Sequence, residues 1–303
     1  MIEVENVTVT YQNGTTAVNH VSIDIPRGTF FGFLGPNGAG KTTLVKTIAT
    51  LLQPTTGSIV VNGYDTVQDR QRVRESIGYM PQETSVDEEL TGRENLEFAC
   101  DAYNVPHDRR EQKITEILKL VQLDDVADQR AGRYSGGMQK RLDAATSLVH
   151  NPDLVFLDEP TTGLDPNARN QLWEYFQQIN NEGTTMFLTT QYLEEADHLC
   201  EDIAVMQQGN VEIRDSPAGL KQRIGGDIIT IKTSDNDKAT DLLNQAEHGT
   251  INQNGDQITI TTEQASKKAP AILTTLQDHG VTTETFTIRE PTLDDVFISL
   301  TNK

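Results

Sequence analysis

The segment Thr29–Thr43, TFFGFLGPNGAGKTT, constrains the fold more than any other part of the chain. It begins with the apolar run Phe30–Leu34, which is typical of a fully buried parallel strand. Residues 35–42 then match the P-loop pattern, in which glycine and four further residues precede Gly-Lys-Ser/Thr. Apolar residues recur at helical spacing after the loop, at Leu44, Val45, Ile48, Leu51 and Leu52. The sequence therefore predicts a phosphate-binding loop between a strand and a helix, the context that this motif requires.

The residue types of this loop suit a nucleotide. Glycines let the backbone approach a phosphate closely, and the N–H groups of the loop and of the next helix point at the anion. Lys41 supplies a cation for the β- and γ-phosphates, and the Thr42 hydroxyl is an oxygen ligand for Mg²⁺. The alternative is a glycine-rich turn with a chance lysine, which the strand–helix context disfavours. We expect the nucleotide to contact Asn37, Gly38, Ala39, Gly40, Lys41, Thr42 and Thr43.

A pair of carboxylates follows a second buried strand. Leu154–Leu157 is an apolar run, and Asp158 and Glu159 come directly after it. Open α/β sheets bind their ligands at the carboxyl ends of the strands. We therefore expect Asp158 to hold Mg²⁺, directly or through water, and Glu159 to orient and polarise the attacking water. The alternative, a solvated acidic pair, is disfavoured because a P-loop is present in the same chain.

Hydrophobic patterns around these motifs divide the chain into regions. Residues 2–10 and 18–25 alternate apolar and polar positions, which predicts two antiparallel strands joined by a turn at Asn13-Gly14. Three successive helical patterns lie in residues 92–149, and we predict a helical insert at about residues 83–149. From Asp227 the composition shifts to Thr, Asn and Gln, and the predicted element order is β-α-β-α-β. We expect an α/β domain at residues 1–224 and a small α+β domain at 225–303.

Charge and composition narrow the functional classes. The formal net charge is −20, which argues against a nucleic-acid groove because phosphate backbones are bound by basic faces. Such a charge indicates either a salt-adapted cytoplasm or simply an acidic soluble surface. No apolar run approaches the length of a membrane span, and the N-terminal residues lack the pattern of a signal peptide. We therefore expect a cytoplasmic protein. Cys100 and Cys200 lie outside any metal-binding spacing, and we interpret them as ordinary thiols in a reducing compartment.

A further motif indicates the family. The sequence YSGGM, residues 134–138, opens a predicted helix, and Ser-Gly-Gly at a helix N-terminus can bind an anion. In its order with the P-loop and the Asp158 strand, it resembles the signature motif of ABC-type ATPases. Gln82 resembles the Q-loop glutamine of that family, residues 159–165 resemble the segment from Walker B to the D-loop, and Tyr11 falls at the adenine-stacking aromatic. The resemblance covers about residues 1–220 and implies a P-loop NTPase core with an antiparallel β subdomain.

A closer resemblance is to the ATP-binding subunits of daunorubicin-resistance-type drug exporters. The segments GFLGPNGAGKTT, LTGRENL, YSGGM, TTQYLEEAD and PTLDDVF carry it, although cassettes for lipids or polysaccharides share several of them. Met138 stands where the general signature has glutamine, and we interpret it as a feature of the drug-exporter subgroup. Gln191 stands where the family has its switch histidine. A glutamine can donate an amide hydrogen bond to a γ-phosphate, but it cannot carry a proton or a charge.

The resemblance implies a dimer in which two cassettes pair head to tail around two ATP molecules. The P-loop of one copy would face Ser135, Gly136 and Gly137 of the second copy. The implied ligands of Mg²⁺ are Thr42, Gln82 and Asp158. The residues implied to act in hydrolysis are Lys41, Glu159 and Gln191.

The resemblance also implies a function in transport. A separate polytopic membrane permease would carry the substrate, and this chain would lie on the cytoplasmic face of the cell membrane and power export of a drug-like or lipophilic compound. One alternative is a soluble ABC ATPase that acts on ribosomes or DNA, which a single cassette and the acidic charge disfavour. A different P-loop enzyme, such as a small-molecule kinase, is disfavoured by the signature. An inactive binding subunit is disfavoured because Lys41, Asp158 and Glu159 are intact.

Overall fold

The structure is a computed structural model that describes residues 1–245 and 249–301, and the chain forms two compact units, Met1–Asp215 and a unit that begins at Ser216. The strands of the first unit are β1 (Ile2–Thr10), β2 (Thr16–Ile25), β3 (Phe30–Leu34), β4 (Thr56–Val61), β5 (Tyr64–Asp65), β6 (Ile77–Met80), β7 (Leu154–Asp158), β8 (Thr185–Thr190), β9 (Asp202–Gln207) and β10 (Asn210–Asp215). Its α-helices are α1 (Lys41–Ile48), α2 (Arg70–Ser76), α3 (Gly92–Ala102), α4 (His107–Leu120), α5 (Gly136–Thr146), α6 (Pro166–Asn181) and α7 (Leu193–Leu199).

The central sheet brings the predicted sites to one edge. Its strand order is β10-β9-β3-β8-β7-β6, and β3, β6, β7, β8 and β9 run parallel where they pair. Leu34 pairs with Thr190 and Asp158 pairs with Thr189, so β3, β7 and β8 end side by side. The P-loop, the carboxylate pair and the residue after β8 therefore all leave the sheet at its carboxyl edge, where open α/β folds bind ligands.

An aromatic cluster anchors the strands that carry the site. The Phe187 ring of β8 lies 5.3 Å from the rings of both Phe31 and Phe156, and 6.0 Å from the ring of Phe33. All four side chains are fully buried. Tilted aromatic pairs at such distances stabilise one another beyond the burial of their surface. The cluster ties β3, β7 and β8 together behind the residues that leave the sheet edge.

The other predicted parts of the first unit are present. The antiparallel sheet has the order β2-β1-β4-β5, and β1 pairs with β2 around the predicted Asn13-Gly14 turn. Three helices, α3, α4 and α5, form the insert in residues 83–149, and α3 packs against both of the others. A capping box starts α3, since the Thr91 side chain accepts from the Glu94 N–H while the Glu94 carboxylate accepts from the Thr91 N–H. The structure confirms the expected α/β fold of the P-loop type with an antiparallel subdomain.

The second unit is a small α+β domain. It contains α8 (Pro217–Gln222), β11 (Asp227–Thr233), α9 (Asn236–Gln245), β12 (Thr250–Asn254), β13 (Gln257–Thr262), α10 (Ala265–Asp278), β14 (Thr283–Arg289) and α11 (Leu293–Thr301). Its antiparallel sheet has the order β12-β13-β11-β14, the split β-α-β arrangement of ferredoxin-like domains. Helices α9 and α10 pack on a core of isoleucines that includes Ile229, Ile231, Ile258 and Ile260.

The second unit differs from its prediction in three places. Strand β12 was not predicted, because its sequence TINQN is largely polar, and neither was helix α11. The division between the units falls after Asp215, ahead of the predicted boundary at 224, because α8 packs against α11 and so belongs to the second unit. The helix predicted at Lys238–Glu247 corresponds to α9, and its last two predicted residues lie outside the described residues.

Candidate functional site

The P-loop forms one wall of a cleft of 420 Å³ in the first unit. The cleft is lined by Tyr11, Thr15, Ala17, Asn37, Gly38, Ala39, Gly40, Lys41, Thr42, Thr43, Gln82 and Glu159. The structure thus brings together all the predicted P-loop residues, the predicted aromatic, the Q-loop glutamine and the second carboxylate. Asp158 lies at the same place through its contact with the Thr42 side chain.

The last residue before Lys41 in the P-loop must be a glycine. Gly40 has a φ of +107°, and a Cβ at this residue would lie 2.0 Å from the carbonyl oxygen of Ala17 on β2. Gly38 has a φ of +81°, but no atom of the described residues lies within 4 Å of its Cβ position. Gly40 is therefore required by a close approach of two backbones, whereas Gly38 is required only by its left-handed conformation.

Lys41 lies across the loop rather than in solvent. Its side chain is 5% exposed, and Nζ donates hydrogen bonds to the carbonyl oxygens of Gly35 at 2.7 Å and Pro36 at 3.1 Å. Burial lowers the pKa of Lys41, while the nearby Glu159 and Asp158 carboxylates raise it. An ammonium group has three donors. Two of them hold the loop closed, and the third is available to an anion in the cleft.

Asp158 is a buried carboxylate with hydroxyl donors around it. Thr42 and Thr189 both donate to its Oδ1, at 3.3 and 2.5 Å, and the Tyr79 hydroxyl donates to its Oδ2 at 3.4 Å. Burial is the main reason that the pKa of Tyr79 is raised, and the negative charge of Asp158 raises it further. A neutral tyrosine and two threonines therefore hold this carboxylate in place. Sequence patterns identified Thr42 but not Thr189 or Tyr79, which reach Asp158 from neighbouring elements.

Glu159 has a constrained backbone. Its φ is +50°, a left-handed value that is unusual outside glycine, and its N–H donates to the Thr189 carbonyl oxygen at 2.9 Å. Its Oε2 accepts from Gln82 Nε2 at 3.1 Å and from the Thr162 hydroxyl at 3.4 Å. These contacts hold the carboxylate of Glu159 at the cleft, where it can accept a proton from a water molecule. Thr162 was not predicted as a site residue.

The oxygen donors present here fit Mg²⁺ in the presence of a nucleotide. In residues 1–245 and 249–301, no group of three or more His, Cys, Asp and Glu side chains is placed to hold a metal ion. Asp158 and the Thr42 hydroxyl nevertheless meet at the cleft. Mg²⁺ in phosphate-transfer sites is commonly bound by one or two carboxylates together with substrate phosphates and water, so a full set of protein ligands is not needed.

Tyr11 also lines the cleft. Its hydroxyl and the Thr43 hydroxyl are 2.8 Å apart, and its side chain is 42% exposed. An exposed aromatic ring that is held at its hydroxyl can stack on a nucleotide base, which is the role that the sequence predicts.

Four predicted site residues are not part of the cleft. The described residues that line the cleft do not include Gln191, Ser135, Gly136 or Gly137. Ser135 is exposed and caps α5, since its Oγ accepts from the Met138 N–H at 3.3 Å. Gln191 is also exposed, directly after β8. Within one chain these residues are therefore surface groups, and a role at an ATP site requires either movement or a second copy.

The chain resembles known proteins along nearly its whole length. Residues 18–162 match the family model described as ABC transporter, and residues 216–301 match that of the ATP-binding protein DrrA1-3-like, C-terminal domain. The daunorubicin resistance ATP-binding protein DrrA2 of Streptomyces coeruleorubidus is 40% identical over 94% of this chain and 90% of its own length. The linearmycin resistance ATP-binding protein LnrL of Bacillus subtilis is 32% identical over 100% and 99%.

Solved structures agree with this similarity. An ATP-binding subunit of an ABC transporter superposes with a TM-score of 0.67 at 27% identity, covering 74% of this chain and 93% of that one. A dimeric ATP-binding cassette in a post-hydrolysis state, bound to ADP and Pi, has a TM-score of 0.65 at 28% identity and covers 71% and 98%. None of the helices in the described part of the chain has the length and apolarity needed to cross a membrane.

Proposed function

The chain belongs to the ABC transporter family as an ATP-binding, ATP-hydrolysing subunit, and from this premise we propose that it powers export of a drug-like or lipophilic compound through a separate permease. The observation that carries the ATPase chemistry is the convergence of Lys41, Asp158 and Glu159 on one cleft. The resistance functions in the names of DrrA2 and LnrL support export. They also disfavour the alternative of a soluble ATPase that acts on ribosomes or DNA.

The proposed roles of the site residues follow from their contacts. The loop N–H groups and Lys41 bind the β- and γ-phosphates, and Tyr11 stacks on the base. Thr42, Asp158 and Gln82 hold Mg²⁺, which would neutralise charge on the phosphate oxygens. Glu159 orients the attacking water and accepts its proton, with its carboxylate fixed by Gln82 and Thr162. Catalysis of this kind depends on positioning and on charge stabilisation.

We propose that a second copy completes each ATP site. Ser135 and Gly136 are exposed at the start of α5, where the free N–H groups of a helix N-terminus attract anions. In the same chain they do not line the cleft that holds Lys41. In a head-to-tail pair, the γ-phosphate would lie between the P-loop of one copy and α5 of the other. ATP would then hold the pair closed, and hydrolysis would weaken it.

The groove that would receive the permease lies between the core and the helical insert. It has a volume of 570 Å³, and its walls include Leu51 and Tyr79 from the core, Ser85 from the loop after Gln82, and Ala102 and Tyr103 from the insert. Leu51 is 53% exposed and lies in this groove, where its apolar side chain is open to contact with a partner. Binding of a permease here would place the chain on the cytoplasmic face of the membrane.

The permease proposal is tested by co-purification from the native cells after gentle detergent extraction. We expect a multi-span membrane protein in near-equal amount with the tagged chain. Leu51→Lys is expected to lose it, because the change places a charge in the groove. Val67→Lys is the matched control, since Val67 is 44% exposed and does not line the groove. Ribosomal or DNA-repair partners, with the chain absent from membranes, would overturn the transport proposal.

The dimer proposal is tested with Glu159→Gln. The amide cannot accept the proton of the attacking water, but it preserves the shape of the side chain. ATP is therefore expected to shift this variant to a long-lived dimer in size-exclusion chromatography, and ADP is expected to leave it monomeric. A variant that remains monomeric with saturating ATP would contradict the proposed pairing.

A further inference from the structure

Helix α5 is joined to the loop after Gln82 by side chains from its middle. Lys140 Nζ donates to the Gln82 carbonyl oxygen at 2.6 Å. The Ser85 N–H and hydroxyl both donate to Oδ1 of Asp143, at 3.3 and 2.5 Å. Two turns of one helix thus hold two points of one loop. Gln82 lines the nucleotide cleft, whereas Ser85, Lys140 and Asp143 are not among the described residues that line it.

Burying the carboxylate of Asp143 at this position costs free energy of folding. Its side chain is 1% exposed, and its Oδ2 has no hydrogen-bond partner among residues 1–245 and 249–301. Burial is the main cause that raises the pKa of Asp143, against the lowering effects of Ser85, Lys140 and the Thr84 side chain. Burial likewise lowers the pKa of Lys140, against the Asp143 charge. A buried carboxylate with one unsatisfied oxygen destabilises a fold, so stability does not explain why this residue is present.

The loop held by Asp143 is also joined to the catalytic carboxylate. Gln82 Nε2 donates to Glu159 Oε2 at 3.1 Å, while the Gln82 backbone is held by Lys140. At the other end, α5 begins with Ser135 as its N-cap. A continuous set of hydrogen bonds and helix backbone therefore connects the Glu159 carboxylate with the signature residue of the same chain.

We infer that Asp143 and Lys140 are positioning residues that make the Gln82 loop and α5 move as one body. The inference rests on the proposed dimer, in which Glu159 and Ser135 of one chain serve different ATP sites. When nucleotide at the first site repositions Gln82, the contacts to Ser85 and Gln82 transmit the shift to α5 and so to the second site. Asp143 and Lys140 thereby couple the two ATP sites. The Gln82 loop and α5 form one element with two positions, and nucleotide at either site shifts the equilibrium between them.

Ser85→Ala, Asp143→Ala, Asp143→Asn and the Ser85→Ala/Asp143→Ala double variant test this inference. ATP hydrolysis is measured against ATP concentration, and binding of a fluorescent ATP analogue is measured without turnover. For Asp143→Ala we expect kcat about tenfold lower, since hydrogen bonds to a charged group are lost, with unchanged nucleotide affinity. The Hill coefficient is expected to fall from near 2 to about 1. Asp143→Asn keeps an acceptor for Ser85 and is expected to retain most of both properties.

The double variant separates positioning from folding. If Asp143 acts through Ser85, the double variant loses no more than Asp143→Ala alone, whereas independent structural defects would add. Asp128→Asn is the matched control, because Asp128 forms an exposed ion pair with Arg93 on the same insert and is expected to change nothing. If Asp143→Ala does not fold, Ser85→Ala decides the question, since Ser85 is exposed and its truncation removes only the hydroxyl contact to Asp143 and keeps the contact of its N–H.

The outcomes distinguish a failure of the coupling role from a failure of the proposed ATPase function on which it rests. A wild-type chain that neither binds nor hydrolyses ATP would overturn the proposed function. A wild-type chain that hydrolyses ATP with a Hill coefficient of about 1, or an Asp143→Ala variant with wild-type kcat and cooperativity, would overturn the coupling role alone. Additive losses in the double variant would also overturn it.

Discussion

Replacing Gly40 with alanine is expected to weaken nucleotide binding strongly. A Cβ at Gly40 would lie 2.0 Å from the Ala17 carbonyl oxygen, whereas real Cβ atoms essentially never approach within 3.0 Å. The P-loop and β2 must therefore separate by about 1 Å, because neither backbone can be compressed. A misplacement of about 1 Å lowers the rate of a reaction by on the order of a hundredfold, and we expect a loss of similar size in nucleotide affinity. The left-handed φ of +107° adds a further cost for alanine.

Gly38→Ala is the control for this prediction. Gly38 has a φ of +81°, and no described atom lies within 4 Å of its Cβ position, so alanine bears only the left-handed penalty. That penalty is about 1–2 kcal/mol, which corresponds to at most about a thirtyfold loss of affinity. Titration with a fluorescent ATP analogue gives both dissociation constants, and thermal unfolding shows that each variant is folded. Equal affinities for the two variants would refute the role assigned to the close approach.

Substitutions at three further residues have distinct expected effects. Tyr11→Ala is expected to bind ATP about tenfold more weakly through loss of stacking, and Tyr11→Phe to bind normally, in equilibrium titrations. Gln191→Ala is expected to lower kcat. Gln191→His is expected to retain it, because glutamine and histidine side chains can both donate a hydrogen bond. Full activity of the alanine variant would exclude a role of Gln191 in hydrolysis. Glu195 is fully buried and burial raises its pKa, so its folded state loses stability as pH rises through the shifted pKa. Glu195→Gln is therefore expected to raise the melting temperature by an amount that grows with pH and vanishes in acid; a constant difference would contradict this.

The local motifs could be predicted because their chemistry is contained in short segments. The P-loop needs glycines at fixed spacing followed by Lys41, and the buried runs of β3 and β7 can be recognised from their apolar composition. Asp158 and Glu159 follow from the same reasoning, since they end one of those runs. The approach of Gly40 to Ala17 could not be predicted, because it depends on how two separate sheets pack.

The residues that the sequence did not reveal act across the fold. Thr189 reaches Asp158 because β7 and β8 pair in a register that places the two residues side by side. Tyr79 reaches the same carboxylate from β6, on the other side of β7. Asp143 meets Ser85 only because α5 packs beside the loop after Gln82. No pattern of period or spacing encodes such pairs, since each depends on packing between segments distant in sequence.

The most direct test of a shared ATP site mixes two chains that are each defective. Lys41→Ala removes the phosphate cation, and Gly136→Phe adds bulk at an exposed residue whose Cβ position has no described atom within 4 Å, so each chain is expected to fold. Every homodimer of either chain has two damaged sites, whereas a mixed dimer has one intact site. Half of the dimers in an equal mixture are mixed, so mixing is expected to restore ATP hydrolysis from two nearly inactive samples, to at most about a quarter of the wild-type rate. If the mixture stays inactive, the P-loop of one copy does not work with the signature of the other.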